Sequence, residues 1–281
     1  MTADTFPDLE TESPAEMLEY VVALAMDAGA VLRAGFGVPH EIAFKGPMDL
    51  VTEVDRAAET LIVDRIQAQF PDHGILGEEG SNVPPQSSPY YWIVDPLDGT
   101  TNFAHGLPGF AVSIGLERDG EVIAGAVYDP IRDDLFAASH GGPATLNGAP
   151  IQVSSTSHLQ GSVLATGFSP HLPRRAIQAS IWCEILPHVQ AVRQLGSAAL
   201  HLCYIAAGRV DGYWEYGLSA WDIAAGALIV TRAGGTVTTT AGGRFDVRAG
   251  DIVATNGIVH DELRALLRLQ QDEVSRLESG R

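Results

Sequence analysis

The chain has 281 residues, 46% of them hydrophobic, with 35 acidic against 17 basic side chains and a net charge of −18. That length and apolar fraction fit one large core or two fused ones, and the charge argues against nonspecific binding to nucleic acid or anionic membranes. No apolar run approaches the roughly 20 residues of a membrane span, and the acidic first residues lack the basic start and apolar centre of a signal peptide; a cytoplasmic protein is expected.

Residues 1–12 hold acids, Pro and Thr without apolar periodicity, which predicts a mobile tail over 1–13. Ser13-Pro14-Ala15-Glu16 reads as a capping box with Pro at the first helical position. Met17, Leu18, Val21, Val22, Leu24, Ala25 and Leu32 extend that helix to about Phe36. Gly46-Pro47 marks a turn. A second helix is expected after it, with Ala57, Ala58, Leu61, Ile62, Ile66 and Phe70 on its buried face. Asp49 and Asp55 then have an ordinary reading as helix-start acids.

Gly74 to Gly77 reads as a short strand ending at Glu78-Glu79, and residues 81–89 as a Pro-rich loop that could serve as a flap. Trp92-Ile93-Val94-Asp95-Pro96-Leu97-Asp98-Gly99-Thr100-Thr101-Asn102-Phe103 begins apolar, sets two carboxylates around a Pro, and ends in small residues suited to a helix start. Such a junction can hold a cation on its carboxylates beside an anion on its free N–H groups. Three strand-like runs follow, Phe110 to Glu117, Val122 to Tyr128 and Asp134 to Ala138, with Asn147-Gly148 as a hairpin turn. They suggest an antiparallel or mixed sheet.

The second half alternates strands and helices. Strands are expected at Val163 to Gly167, Val192 to Leu195, Asp211 to Tyr216, Val237 to Thr239 and Ile252 to Ala254. Helices are expected at Ala176 to Leu186, Leu200 to Ala207, Ile223 to Thr231 and His260 to Leu277. That pattern indicates an α/β layer. Cys183 and Cys203 have no CxxC partner and read as small buried thiols.

The acids of interest are Asp49 and Asp55, Glu78 and Glu79, Asp95 and Asp98, and Asp222, several of them where an apolar run stops. Sites in α/β proteins form at such ends. Hard cations such as Mg²⁺ want oxygen ligands, and two of them can activate a water and stabilise a leaving oxygen. Spacing alone leaves open whether these groups converge.

Asp95-Pro96-Leu97-Asp98-Gly99-Thr100-Thr101-Asn102-Phe103 resembles the signature of the inositol monophosphatase family, in the Mg²⁺-dependent, lithium-sensitive phosphatase superfamily. Trp221-Asp222-Ile223-Ala224-Ala225-Gly226 with Gly234-Gly235 is similar to its second signature. Asp49-Leu50-Val51-Thr52-Glu53-Val54-Asp55 and Gly77-Glu78-Glu79 match two further motifs, all in the family's order. The resemblance implies an α/β (α+β) fold, a layered α-β-α-β-α sandwich of the inositol monophosphatase and fructose-1,6-bisphosphatase type. Residues 14–152 would carry the metals and the nucleophile, and residues 153–281 would complete the site.

The same resemblance implies two to three Mg²⁺ ions. Glu78, Asp95 and the Leu97 carbonyl would hold the first, Asp95, Asp98 and Asp222 the second, and Glu78 would help hold a third through waters. Thr100 with Asp55 would activate the water. The N–H groups of Gly99 and Thr100 would bind phosphate, and Asp98, Ser197, Ala198, Glu215 and Asp222 would face the alcohol. Lys45 matches a lysine near the phosphate, with a structural ion pair as its other reading; Glu79 is a possible contributor. His201, where bacterial relatives often carry Asp, and Ser219-Ala220 depart from the family pattern. His201 is expected to be structural, since the mechanism needs no imidazole.

The implied activity is hydrolysis of a small phosphorylated polyol, myo-inositol 1-phosphate first, by a homodimer that binds neither membrane nor nucleic acid directly. Fructose-1,6-bisphosphatase and histidinol-phosphatase activities are the alternatives. A regulatory protein-binding role is the alternative of another class, since some bacterial relatives act in RNA-polymerase complexes.

Overall fold

The computed structural model describes residues 13–46 and 49–268. The expected tail over 1–12 and the last helix beyond 268 fall outside those residues.

Helix α1 (Pro14–Gly35) opens as its sequence predicts. The Ser13 hydroxyl accepts from Glu16 N at 3.4 Å, and the Glu16 carboxylate accepts from Ser13 N at 2.7 Å. Strands β1 (Ala43–Gly46) and β2 (Asp49–Val51) form a separate antiparallel hairpin. Asp49 thus lies in a strand, not at a helix start. Helix α2 (Glu53–Gln69) begins after the Thr52 cap, with Asp55 at its third position. Its buried face is the predicted one at Ala58, Ile62, Ile66 and Phe70, with Leu61 half-buried; Ala57 is exposed instead, and Glu59 takes a core position.

These two helices cover one face of a large sheet, sharing with it a core that includes Leu24, Leu32, Ile62, Ile66, Trp92 and Phe103. Its strands are β3 (Gly74–Gly77), β4 (Asn82–Val83), β5 (Tyr90–Asp98), β6 (Ala111–Arg118), β7 (Glu121–Asp129), β8 (Asp134–Ser139), β9 (Thr145–Leu146) and β10 (Ala149–Pro150). The order is β10-β9-β8-β7-β6-β5-β3-β4, antiparallel except for the β3–β5 pair. The predicted loop over 81–89 therefore contributes a short strand at the sheet edge. Asn147 and Gly148, both with positive φ, make the predicted tight turn between β9 and β10. Strand β5 runs directly into α3 (Thr100–Ala104).

The smaller sheet has strands β11 (Val163–Thr166), β12 (Ala191–Arg193), β13 (Gly212–Tyr216), β14 (Thr236–Thr238) and β15 (Asp251–Thr255), in the order β12-β11-β13-β15-β14. β11 pairs in parallel with β12 and β13; the other pairs are antiparallel. On its outer face, α4 (Leu172–Ile185) and the helical residues 260–268 pack Ile181, Ile185, Leu263 and Leu267 around Trp214. α4 starts four residues before its apolar pattern because Pro173 fits the first turn of a helix.

Between the sheets lie α5 (Ala198–Ala206) and α6 (Ala220–Arg232). Their side chains share one core with Val127 and Phe136 of the large sheet and Tyr213 and Ala254 of the small one. The result is the five-layer α-β-α-β-α order implied by the resemblance. α6 sits close on the large sheet: a Cβ on Gly125 would fall 2.9 Å from Ala225 Cα, and one on Gly115 would fall 3.1 Å from Ala224 Cβ. Of the two cysteines Cys203 is buried, but Cys183 is exposed, because it lies on the outward face of α4. Among the described residues no helix is long and apolar enough to cross a membrane.

Candidate active site

Several chain segments meet where β5 ends. Asp95 closes the regular part of β5, and the pairing with β6 is interrupted between Asp95 and Asp98. The interruption leaves the Leu97 N–H free to donate to Asp95 Oδ1 at 3.0 Å. Gly99 then turns the chain into α3 with φ of 102°, a conformation that favours glycine. A side chain there would also press on the Gly109 and Gly196 carbonyls, at 3.0 and 3.2 Å from its Cβ. The motif glycine is therefore required both by its backbone angle and by the close approach of two loops.

Thr100 Oγ1 lies 3.1 Å from Asp55 Oδ1 and 3.1 Å from the Leu97 carbonyl. The other oxygen of Asp55 accepts from Thr52 N at 2.9 Å and from Thr52 Oγ1 at 2.5 Å. Asp55 is wholly buried, and that burial holds its carboxyl above the usual range. The expected Thr100–Asp55 pair is thus assembled across 45 residues of sequence.

Glu78 and Glu79 follow β3, beside the end of β5. Lys45 reaches both from the β1–β2 hairpin, at 2.7 Å and 2.9 Å. Burial pulls the Lys45 ammonium down, but the two carboxylates more than reverse this and hold it above the lysine range. The ion-pair reading of Lys45 is therefore realised. Glu79 is pushed up to about 7 by burial. The buried Glu59 fixes this loop: its two oxygens accept from Glu79 N at 2.8 Å and Ser81 N at 3.0 Å. Sequence reading missed Glu59. The available signal was an acid at a core position of a helix, four residues before Val63 and three before Ile62.

The second half of the chain supplies the rest. Asp98 Oδ2 accepts from Ser197 Oγ and Ala199 N, both at 2.6 Å, at the start of α5. Asp222 sits in the first turn of α6 and accepts from Ser219 N at 2.6 Å. Burial pushes Asp95 well up, aided by the charges of Glu78, Asp98 and Asp222. Asp222 is likewise raised by burial and by Asp98, and Asp98 is raised to about 6.

Glu215, near the end of β13, accepts from the Tyr213 hydroxyl at 2.6 Å and is raised to about 7 by burial. Gly167 makes room for it, since a Cβ there would collide with the Glu215 carboxylate. Asn102 ties the two halves together, donating to the Gly109 carbonyl at 2.7 Å and to the Leu195 carbonyl at 2.8 Å. A cavity of about 450 Å³ opens here. Asp98, Gly99, Thr100, Ser197, Ala198, Glu215 and Asp222 all border it, as does His201, which the sequence reading set beside the alcohol or a subunit contact; Arg175 and Gln194 border it too, and sequence reading did not place them there.

Among the described residues no ion pair neutralises Asp95, Asp98 or Asp222. Nor do three acidic, histidine or cysteine side chains close into a ready-made metal cage among those residues. Clustered carboxylates without a cation are costly. Oxygen donors in an open arrangement suit Mg²⁺, which keeps several of its waters and uses few protein ligands. The donor set fits that ion.

Residues 13–274 match the profile of the inositol monophosphatase family. The chain belongs to that family. It is 43% identical over 264 residues to an inositol-1-monophosphatase of Mesorhizobium japonicum, covering 92% of this chain and 97% of the relative. It is 42% identical over 262 residues to the Nus factor SuhB of Escherichia coli, with 92% and 97% covered. The solved structure of the inositol monophosphatase from Anabaena (Nostoc) superposes with a TM-score of 0.81 at 40% identity, covering 91% of this chain and 96% of that one. The five layers described above are thus the inositol monophosphatase fold. A member of this family is a phosphoric monoester hydrolase, and the family generally depends on magnesium.

Proposed function

We propose that this inositol monophosphatase family member hydrolyses myo-inositol 1-phosphate to inositol and phosphate. The observation that carries the reading is that Thr100, bonded to the buried Asp55 behind it, and the Asp98–Ser197 junction border one cavity. Glu78, Asp95, Asp98, Asp222 and the Leu97 carbonyl would hold two to three Mg²⁺ ions. Bound there, the ions supply Lewis-acid charge to the phosphoryl group and the leaving oxygen. The Thr100 hydroxyl donates to Asp55, which leaves its own lone pairs free to accept from an attacking water. The proton of that water passes through Thr100 to Asp55, whose burial makes it a stronger base than an exposed carboxylate.

The N–H groups of Gly99 and Thr100 bind the phosphate. Glu215, with one oxygen engaged by Tyr213, receives hydroxyls of the polyol on the other. Lithium sensitivity, a homodimer and a cytoplasmic location belong to the same proposal.

A kinetic screen with and without Mg²⁺ tests it, using myo-inositol 1-phosphate, fructose 1,6-bisphosphate and histidinol phosphate. Myo-inositol 1-phosphate is expected to be the best of the three; a kcat/KM more than about two orders of magnitude (~2.7 kcal/mol) below the best alternative would reject it. The Escherichia coli relative named Nus factor SuhB motivates a second reading, a regulatory protein-binding role. Asp98→Asn separates the two. It should abolish Mg²⁺-dependent turnover, and a cellular phenotype that survived it would favour the binding role.

A further inference from the structure

Asn102 lies in α3, two residues after Thr100, and the hydrolysis assigns it no task. It is half-buried and borders the cavity. Its Nδ2 donates to two carbonyls at once, Gly109 at 2.7 Å and Leu195 at 2.8 Å. A carboxamide nitrogen carries two hydrogens, so the pair of bonds uses both. The acceptors lie 7 and 93 residues further along the chain. The close approach to the second depends on glycine, since a Cβ at Gly196 would fall 2.5 Å from Asn102 Nδ2.

The loop that Asn102 reaches carries a group of the site. Leu195 is held on two sides, its carbonyl by Asn102 from α3 and its N–H by His201 Nε2 from α5 at 3.0 Å. Two residues on, Ser197 Oγ donates to Asp98 Oδ2 at 2.6 Å and accepts from Leu200 N at 3.1 Å. The Ser197 hydroxyl has one hydrogen, and Asp98 receives it. The contacts therefore close a ring. The chain runs from Asp98 to Asn102, the amide bonds Leu195, the chain runs on to Ser197, and Ser197 returns to Asp98. An apolar contact could staple the two halves together, but hydrogen bonds to two carbonyls also fix direction.

We propose that Asn102 is a positioning residue: it sets the Gln194–Ser197 loop so that the Ser197 hydroxyl holds the Asp98 carboxylate in its working orientation. This rests on the phosphatase reading above.

The first test is kinetic, on myo-inositol 1-phosphate. Asn102→Leu fills nearly the same volume without a donor, and Asn102→Ala removes volume and donors together. Both should lower kcat/KM about 10- to 100-fold, the loss of one or two hydrogen bonds. Wild-type kcat/KM in Asn102→Leu would reduce the residue to a packing role and overturn the proposal, even if Tm fell. The double variant with Ser197→Ala should lie within about 3-fold of the lower single variant, because both changes act through one bond. Losses that multiply would place the effect of Asn102 elsewhere and also overturn it.

The second test needs neither substrate nor metal. Leu195, Ala199 and Leu200 donate their N–H groups to His201, Asp98 and Ser197. In metal-free Asn102→Leu, hydrogen exchange over residues 195–200 should quicken about 10-fold, while residues 112–116 of β6 keep their wild-type rate. Unchanged exchange over 195–200 rejects the role.

A measurement on the wild-type protein covers variants that fail to fold. Both carboxamide protons of Asn102 should exchange slowly with solvent, and free exchange of either would reject the clamp. Failure of the phosphatase reading looks different: wild type would turn over no ester, while the exchange results would stand.

Discussion

Asp55 performs two tasks with its two oxygens. One caps α2 through Thr52, and the other holds the Thr100 hydroxyl. Replacing it with Asn keeps an acceptor for one of these and turns the other into a donor facing a donor. Asp55→Asn is expected to cut kcat by about 10²- to 10⁴-fold, the range for a lost general base. The weakened cap should cost about 1 kcal/mol of stability. Steady-state kinetics alongside thermal melts would check both numbers. Loss of stability without loss of kcat would mean that Asp55 only caps the helix. Half of this residue was legible in the sequence, where the cap and its third position are three residues apart. The bond to Thr100 spans 45 residues and was supplied by the family resemblance, not by spacing.

At the scale of elements, α2 and α6 each place a loop or an acid by the way they pack. Glu59 faces inward from α2 and takes the Glu79 and Ser81 N–H groups, so it shapes the turn that presents Glu78. Glu59→Ala leaves two partly buried donors unpaired. It should lose about 1–3 kcal/mol per unsatisfied group and raise the Mg²⁺ concentration needed for half-maximal activity. Glu59→Gln, which keeps one acceptor, should fall between. Calorimetry and a magnesium titration read the two effects; an unchanged magnesium requirement in Glu59→Ala would show that the loop does not depend on this anchor.

α6 lies against Gly125, and a methyl group there meets backbone rather than a flexible side chain. Gly125→Ala is expected to destabilise by about 1–3 kcal/mol through overpacking. Because Asp222 rides on the first turn of α6, magnesium affinity should weaken as well. A variant that melts early but binds magnesium normally would show that the helix end is held independently of its middle. Apolar spacing identified α6 as a helix, but no local pattern says which glycines on two strands receive it.

For the whole molecule, the excess of acids matters most where they are buried. Asp98 is raised to about 6, Glu79 and Glu215 to about 7, and Asp95 and Asp222 also upward, chiefly by burial. In the unfolded chain such groups titrate near 4. Between about pH 4 and 7 the folded protein therefore holds more protons than the unfolded one, and stability falls as pH rises through that window. Magnesium binds the deprotonated oxygens, so its stabilising effect should grow over the same range. Melting curves in EDTA at pH 5, 6 and 7.5 should show a falling Tm, and added Mg²⁺ should restore most of it at pH 7.5. A metal-free Tm that rises across this range would contradict the buried carboxylate cluster.

The sequence by itself determined what depends on near neighbours: the Ser13 cap, the β5–α3 junction, the Asn147-Gly148 turn, and the alternation of strand and helix. Motifs in the family's order also pointed to the acids proposed for the site. Its misses share one physical cause, since burial is a property of the assembled layers rather than of a residue's own segment. Ala57 faces out while Glu59 faces in because of how α2 meets the β3 loop; Cys183 is exposed because α4 lies on the outside. Tertiary packing alone settled that Ser197 and Ala199 would hold Asp98, that Gly167 would clear space for Glu215, and that His201 would accept from Leu195 N. Each of those contacts joins segments whose distance in sequence carries no information about their distance in space.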